Sequence, residues 1–213
     1  MNAISFSKCM SAQFALVGTV GLPRLPQLFS RRLFKLGEEL GEVSEAYLAI
    51  TGEHNYKGLT AADLREETVD VLLIAVDLAF AWLQPLALSQ EQCNKIVTEL
   101  FVESSLNHAP ASAFEANLGH VYKAYGKLIT KFSPGLPEGS DAVRALNPSQ
   151  DFAIPDFLKT VGALAMTAVP GEPCTTSSAL QQALVDQLGA KIQKWARVTG
   201  KSVSAFEPLL MVA

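Results

Sequence analysis

Two short acidic motifs constrain this chain more than any other feature: Glu38-Glu39-Leu40-Gly41-Glu42 and Glu67-Thr68-Val69-Asp70, separated by a 24-residue spacer. Within each motif two carboxylates stand three residues apart, so on a helix of 3.6 residues per turn they project from one side. The segments that hold them read as consecutive helices joined through Thr51-Gly52 to Gly58-Leu59, and in an antiparallel hairpin residues of equal index sum lie level. Glu42 with Glu67 and Glu39 with Asp70 share the index sum 109. Four carboxylates therefore meet between two helices, where each like-charged pair at ~5 Å costs on the order of 3 kcal/mol at an effective dielectric near ~20. A positive occupant is required. Hard divalent cations with oxygen ligands suit the site, Mg²⁺ first with Mn²⁺ as a substitute, and Mg²⁺ held by a few carboxylates commonly brings a phosphorylated substrate.

Periodicity supports the hairpin. Leu33, Leu36, Leu40, Val43, Tyr47 and Ile50 recur at steps of three and four, which predicts a first helix over 28–50. On a helical wheel Glu39 lies ~70° and Glu42 ~130° from the centre of this apolar stripe, while Glu38 and Glu45 point nearly away. Glu39 and Glu42 are the expected inward pair. The second helix opens at Thr60, which forms a capping-box-like start with Asp63, and closes before Pro85. Its acidic residues Asp63, Glu67, Asp70 and Asp77 fall within about 80° of arc on an otherwise apolar second half. Further helices are predicted over 89–106 and 113–132, the two hairpins making a four-helix unit. Breaks at Ser133–Gly139, Asn147-Pro148 and Pro170–Pro173 set off a shorter apolar helix over 157–169 and a last amphipathic helix over 177–198. The expected class is all-α with no strand. The expected division is an N-terminal extension 1–27, a helical bundle 28–132 and a C-terminal helical extension 133–213 that packs on the bundle or on a partner subunit.

Composition removes several classes. A chain of 213 residues with 49% hydrophobic content can build one sizeable core, and a net charge of -4 argues against a nucleic-acid binder that works through a basic surface. The longest apolar run, Val71 to Leu83, is interrupted by Asp77 and is shorter than the ~20 residues of a membrane span. Cys9, Cys93 and Cys174 show neither zinc spacing nor a disulfide framework, and a reducing cytoplasm is the expected setting.

The joint pattern resembles the MazG-type, all-α nucleoside triphosphate pyrophosphohydrolases, whose signature is EExxE, a variable spacer and ExxD. Glu38, Glu39, Glu42, Glu67 and Asp70 fill it, and the resemblance spans about residues 28–84. It implies magnesium ligands at Glu39, Glu42, Glu67 and Asp70, with Glu38 a further catalytic-motif carboxylate. The implied reaction cleaves a nucleoside triphosphate between its α and β phosphates, releasing pyrophosphate, in a homo-oligomer, most simply a dimer. Bridging cations suit that chemistry, because they reverse the local field for a polyphosphate and stabilise its crowded oxygens. Phosphoribosyl-ATP pyrophosphohydrolase is the alternative enzyme, and a helical interaction module with a structural divalent ion is the alternative without turnover.

Basic residues near the motifs carry two readings each. Asp77 lies level with Arg32, where an ion pair is the simpler role and substrate contact the sharper one. Lys35 lies two turns or less from Glu39, within reach of substrate phosphates. Lys123, Lys127, Lys131 and His120 line one side of the predicted 113–132 helix, as a solvated face or as a triphosphate contact. His54, Asn55 and Tyr56 in the hairpin loop are base-contact candidates of low specificity, and His108, Trp82 and Trp195 are assigned no chemistry.

Overall fold

A computed structural model describes residues 25–52, 55–83, 86, 88–106, 114–132, 152–168 and 177–198. The N-terminal extension up to residue 24, His54, His108, the 133–151 connection and the Pro170–Pro173 break lie outside the described residues. Six helices follow in order: α1 (Leu25–Thr51), α2 (Ala61–Leu83), α3 (Gln90–Leu106), α4 (Phe114–Phe132), α5 (Ala153–Ala168) and α6 (Ser177–Val198). There is no strand among the described residues, and none of the described helices is long and apolar enough to cross a membrane.

Local chemistry sets the helix ends. At the start of α2, Thr60 and Asp63 build the expected capping box: the Thr60 backbone N–H donates to Asp63 Oδ2 at 2.7 Å, and the Ala62 N–H donates to Thr60 Oγ1 at 3.2 Å. Ser89 and Gln92 repeat the device at α3, with the Gln92 N–H on Ser89 Oγ at 3.2 Å and the Ser89 N–H on Gln92 Oε1 at 2.9 Å. In the α1–α2 loop, the Asn55 side chain donates to Leu59 O and accepts from Leu59 N–H, which closes the turn. Gly58 adopts φ +66 there, a left-handed conformation that a side chain would strain. Asn55 is thus a structural clasp, and Tyr56 beside it is exposed. Helix α5 begins at Ala153, four residues ahead of the expected start. Pro155 falls in its first turn, where a missing N–H costs nothing.

Packing runs outward from α2, in which every residue from Thr68 to Leu83 is buried. A helix apolar on all sides must be surrounded. Helices α1, α2, α5 and α4 form a closed four-helix ring in which each contacts the next, while α3 lies mainly on α5 and α6 lies on α2 and α5. The expected four-helix unit is therefore corrected at one position: α5, not α3, is the fourth core helix. An expected boundary at 132/133 cuts through this core, because Phe157, Leu158, Val161 and Leu164 of α5 are buried with Leu36, Leu72 and Leu128 in one cluster. Across the ring α4 runs antiparallel to α1, with Tyr125 Oη donating to Leu33 O at 3.0 Å and Tyr122 Oη donating to Leu40 O at 2.9 Å. Tyr125 reaches Leu33 over Gly37, where an added Cβ would lie 2.5 Å from the tyrosine oxygen.

Candidate metal centre

The α1–α2 pairing is the most extensive helix packing among the described residues, and it brings the two acidic motifs together. Glu39, Glu67 and Asp70 each place a carboxylate oxygen within 4.8 Å of the other two. Glu39 is 4% exposed and Asp70 7% exposed. Glu42, expected to face inward with Glu39, is instead exposed and stands outside this triad, beside Glu39 and Glu67. The groove opens toward solvent at Glu42, as its wider angle from the apolar stripe implies. Glu38 faces away and pairs with Lys35 at 3.0 Å.

Electrostatics follow from this crowding. Burial first, then the neighbouring Asp70 and Glu42 carboxylates, raises the Glu39 carboxyl against the pull of Lys35. Burial and the Glu42 and Asp70 charges push Glu67 up to about 7. Asp70 is also raised, mainly by burial, with Lys191 opposing. All three shifts disfavour the ionised form, first through burial, so positive charge beside the group stabilises it.

Two lysines supply part of that charge. Lys35 Nζ lies 2.8 Å from Glu39 Oε1, and Lys191 Nζ, from α6, donates to Asp70 Oδ2 at 2.6 Å while also touching Glu66 Oε1 at 2.6 Å. The opposite oxygens, Glu39 Oε2 and Asp70 Oδ1, are fully buried and accept no hydrogen bond. Buried polar atoms are ordinarily satisfied, and an unsatisfied one costs about 1–3 kcal/mol, more when charged. This donor set could hold a divalent cation: three carboxylates with oxygens within 4.8 Å of one another, two of them with a buried free oxygen. Oxygen-only, anionic donors suit a hard divalent ion.

The remaining candidates separate cleanly. Arg32 Nε lies 3.1 Å from Asp77 Oδ2, so this pair is an ion pair between α1 and α2, with Asp77 buried. Lys123 and Lys127 are exposed on α4 and line a cleft with Lys131, Phe152, Asp156 and Thr160 that includes no residue of the acidic triad. Lys191, Glu66 and Lys194 had no signal in the sequence: nothing in an amphipathic helix 121 residues away says which groove it will cover. Between α2 and α6 a cleft of about 260 Å³ runs along Glu66, Val69, Gln187, Lys191 and Lys194, directly beside Asp70. Comparison with protein-family models, with curated proteins and with solved structures found no match for this chain.

Proposed function

We propose that this chain is a Mg²⁺-dependent nucleoside triphosphate pyrophosphohydrolase of MazG-like type, cleaving a ribo- or deoxyribonucleoside triphosphate to the monophosphate and pyrophosphate. The observation that supports it most is the pair of buried, unpartnered carboxylate oxygens on Glu39 and Asp70 inside an α1–α2 acidic cluster of matching register. Glu39, Glu67 and Asp70, with Glu42 at the open side, would hold Mg²⁺, which would supply positive charge toward a polyphosphate and its developing charge. Glu39 and Asp70 are fixed by packing and by their lysines, so they bind without reorganising. Glu42, at the solvent side, is placed to accept a proton at its carboxylate from an attacking water. Lys194, exposed at the edge of the α2–α6 cleft, and Lys35 meet the outgoing phosphates. Membership of that family, a homodimer and a cytoplasmic setting belong to the same proposal.

The test is pyrophosphate release from a panel of canonical and modified nucleotides, with full-length protein and Mg²⁺. Turnover of at least one nucleotide is expected, lost in both Glu42→Gln and Asp70→Asn while circular dichroism stays native. Metal binding without release of pyrophosphate from any nucleotide would replace the enzyme with an interaction module built on a structural ion.

A further inference from the structure

Glu39 and Asp70 share an arrangement that phosphoanhydride cleavage does not by itself require. One oxygen of each is taken by a lysine, at 2.8 Å for Glu39 Oε1 and 2.6 Å for Asp70 Oδ2, and the other is buried without a hydrogen bond. The lysines arrive from different directions. Lys35 reaches forward from the preceding turn of α1 with its side chain 47% exposed, whereas Lys191 crosses from α6 and is anchored by Glu66, leaving its side chain 12% exposed. A lysine that merely softened the local field would be satisfied by loose, solvated contacts. These are short contacts, and the Lys191 ammonium is held between two carboxylates.

We infer that Lys35 and Lys191 are positioning residues that fix Glu39 and Asp70 as one-oxygen ligands and so make the site select Mg²⁺ or Mn²⁺ over Ca²⁺. The inference rests on the metal centre proposed above. Its physical basis is ligand supply. Ca²⁺ takes about six to eight oxygens at ~2.3–2.6 Å and gathers them readily through bidentate carboxylates, whereas Mg²⁺ takes about six at ~2.0–2.1 Å, several of them water. With Oε1 and Oδ2 held by ammonium groups, Glu39 and Asp70 offer one oxygen each instead of two. An ion that needs many protein oxygens is left short, and an ion content with few is not. Burial reinforces this most at Asp70, which cannot swing to a bidentate pose without breaking a lysine contact inside the protein, whereas the Lys35 contact to Glu39 lies at the surface.

Lys191→Met keeps the apolar stem that packs between α2 and α6 but releases Asp70 Oδ2. Removing a positive charge strengthens the binding of any cation, so absolute affinities do not decide; the Mn²⁺ to Ca²⁺ affinity ratio does. Full-length protein is titrated with Mn²⁺, the free ion is read by electron paramagnetic resonance, and Ca²⁺ is then added as competitor. The wild type is expected to favour Mn²⁺, Lys191→Met and Lys35→Met each to lower that preference about tenfold or more, and Lys191→Arg to restore it by donating again to Asp70. Lys35→Met carries the test if Lys191→Met does not fold. A Mn²⁺ to Ca²⁺ ratio unchanged in both methionine variants, or a wild type that binds Ca²⁺ as tightly as Mn²⁺, overturns the inference while leaving the metal centre standing. A wild type that binds no Mn²⁺, or an Asp70→Asn variant that binds it unchanged, removes the metal centre and the inference with it.

Discussion

Metal-free protein is expected to lose stability as pH rises through the near-neutral range, and Glu67 is the lever. Its carboxyl is lifted from 4.5 to about 7, first by burial and then by the Glu42 and Asp70 charges. Between those values the folded state holds a proton that the unfolded chain has released, so unfolding becomes progressively easier with rising pH. Glu39 and Asp70 are shifted in the same direction and add to the slope. Carboxylates shifted the other way, Asp63 at its cap and Glu66 on Lys191, act below about pH 4.5, where stability falls on acidification. Lys35 and Lys191 are raised, so their contribution persists to alkaline pH and leaves the window untouched.

The rise at Glu67 alone sets an upper bound of about 3 kcal/mol. Its side chain is only partly buried and shares its proton with neighbours, so screening reduces the expected loss to about 1–2 kcal/mol between about pH 5 and pH 7.5. Urea denaturation in EDTA measures it at three pH values. Glu67→Gln should flatten most of the slope and stabilise the metal-free protein above pH ~7, where the charge it removes is repulsive. Saturating Mg²⁺ should reverse the slope, because deprotonated ligands bind metal and binding to the native state alone adds about 2.7 kcal/mol at a hundredfold excess over Kd. Stability that is flat or rises with pH in EDTA, or a Glu67→Gln variant with the wild-type slope, would refute the crowded-carboxylate account.

Gly37→Ala should cost about 1–3 kcal/mol in thermal or urea unfolding, since its Cβ would lie 2.5 Å from Tyr125 Oη and break the tyrosine's bond to Leu33 O. Gly41→Ala, one turn on with nothing within 4 Å, should be neutral or stabilising by up to about 1 kcal/mol. Arg32→Met strips the buried Asp77 of its guanidinium and should destabilise by about 2–4 kcal/mol, with Mn²⁺ affinity unchanged in the folded fraction. Glu38→Gln loses only an exposed contact to Lys35, and pyrophosphate release should survive it.

The α1–α2 register was legible because two local signals agree there: a heptad-like apolar stripe fixes the face of α1, and a short loop with a real cap at Thr60 fixes the start of α2. Together they place Glu39 level with Asp70 without any long-range knowledge. The same reasoning put α3 into the ring because α3 follows α2 in sequence, yet adjacency in sequence is a weak rule when every helix is amphipathic. What decides is apolar surface. Helix α5 buries Phe157, Leu158, Val161, Leu164 and Met166, while the described part of α3 contributes Cys93 and Val97 as buried hydrophobics. Lys191 was illegible for a related reason: its helix announces an apolar face through Leu184, Leu188 and Ile192, but not the partner that face will meet.

One acidic stripe on α2 is spent in three different ways, and the difference lies in which oxygens are already satisfied. Asp63 accepts from Thr60 at the helix start and is lowered by it, a role that needs no ion. Asp77, two turns beyond Asp70, is closed by Arg32 and belongs to the architecture of the α1–α2 packing. Glu67 and Asp70 between them face Glu39 instead of a guanidinium, and Lys191 reaches Asp70 at one oxygen only. Identical residue types on one helical face thus divide by the partner that the opposite helix presents. Where α1 offers Arg32 the charge is neutralised, and where it offers Glu39 the charge accumulates into a group that could hold a cation from outside the chain.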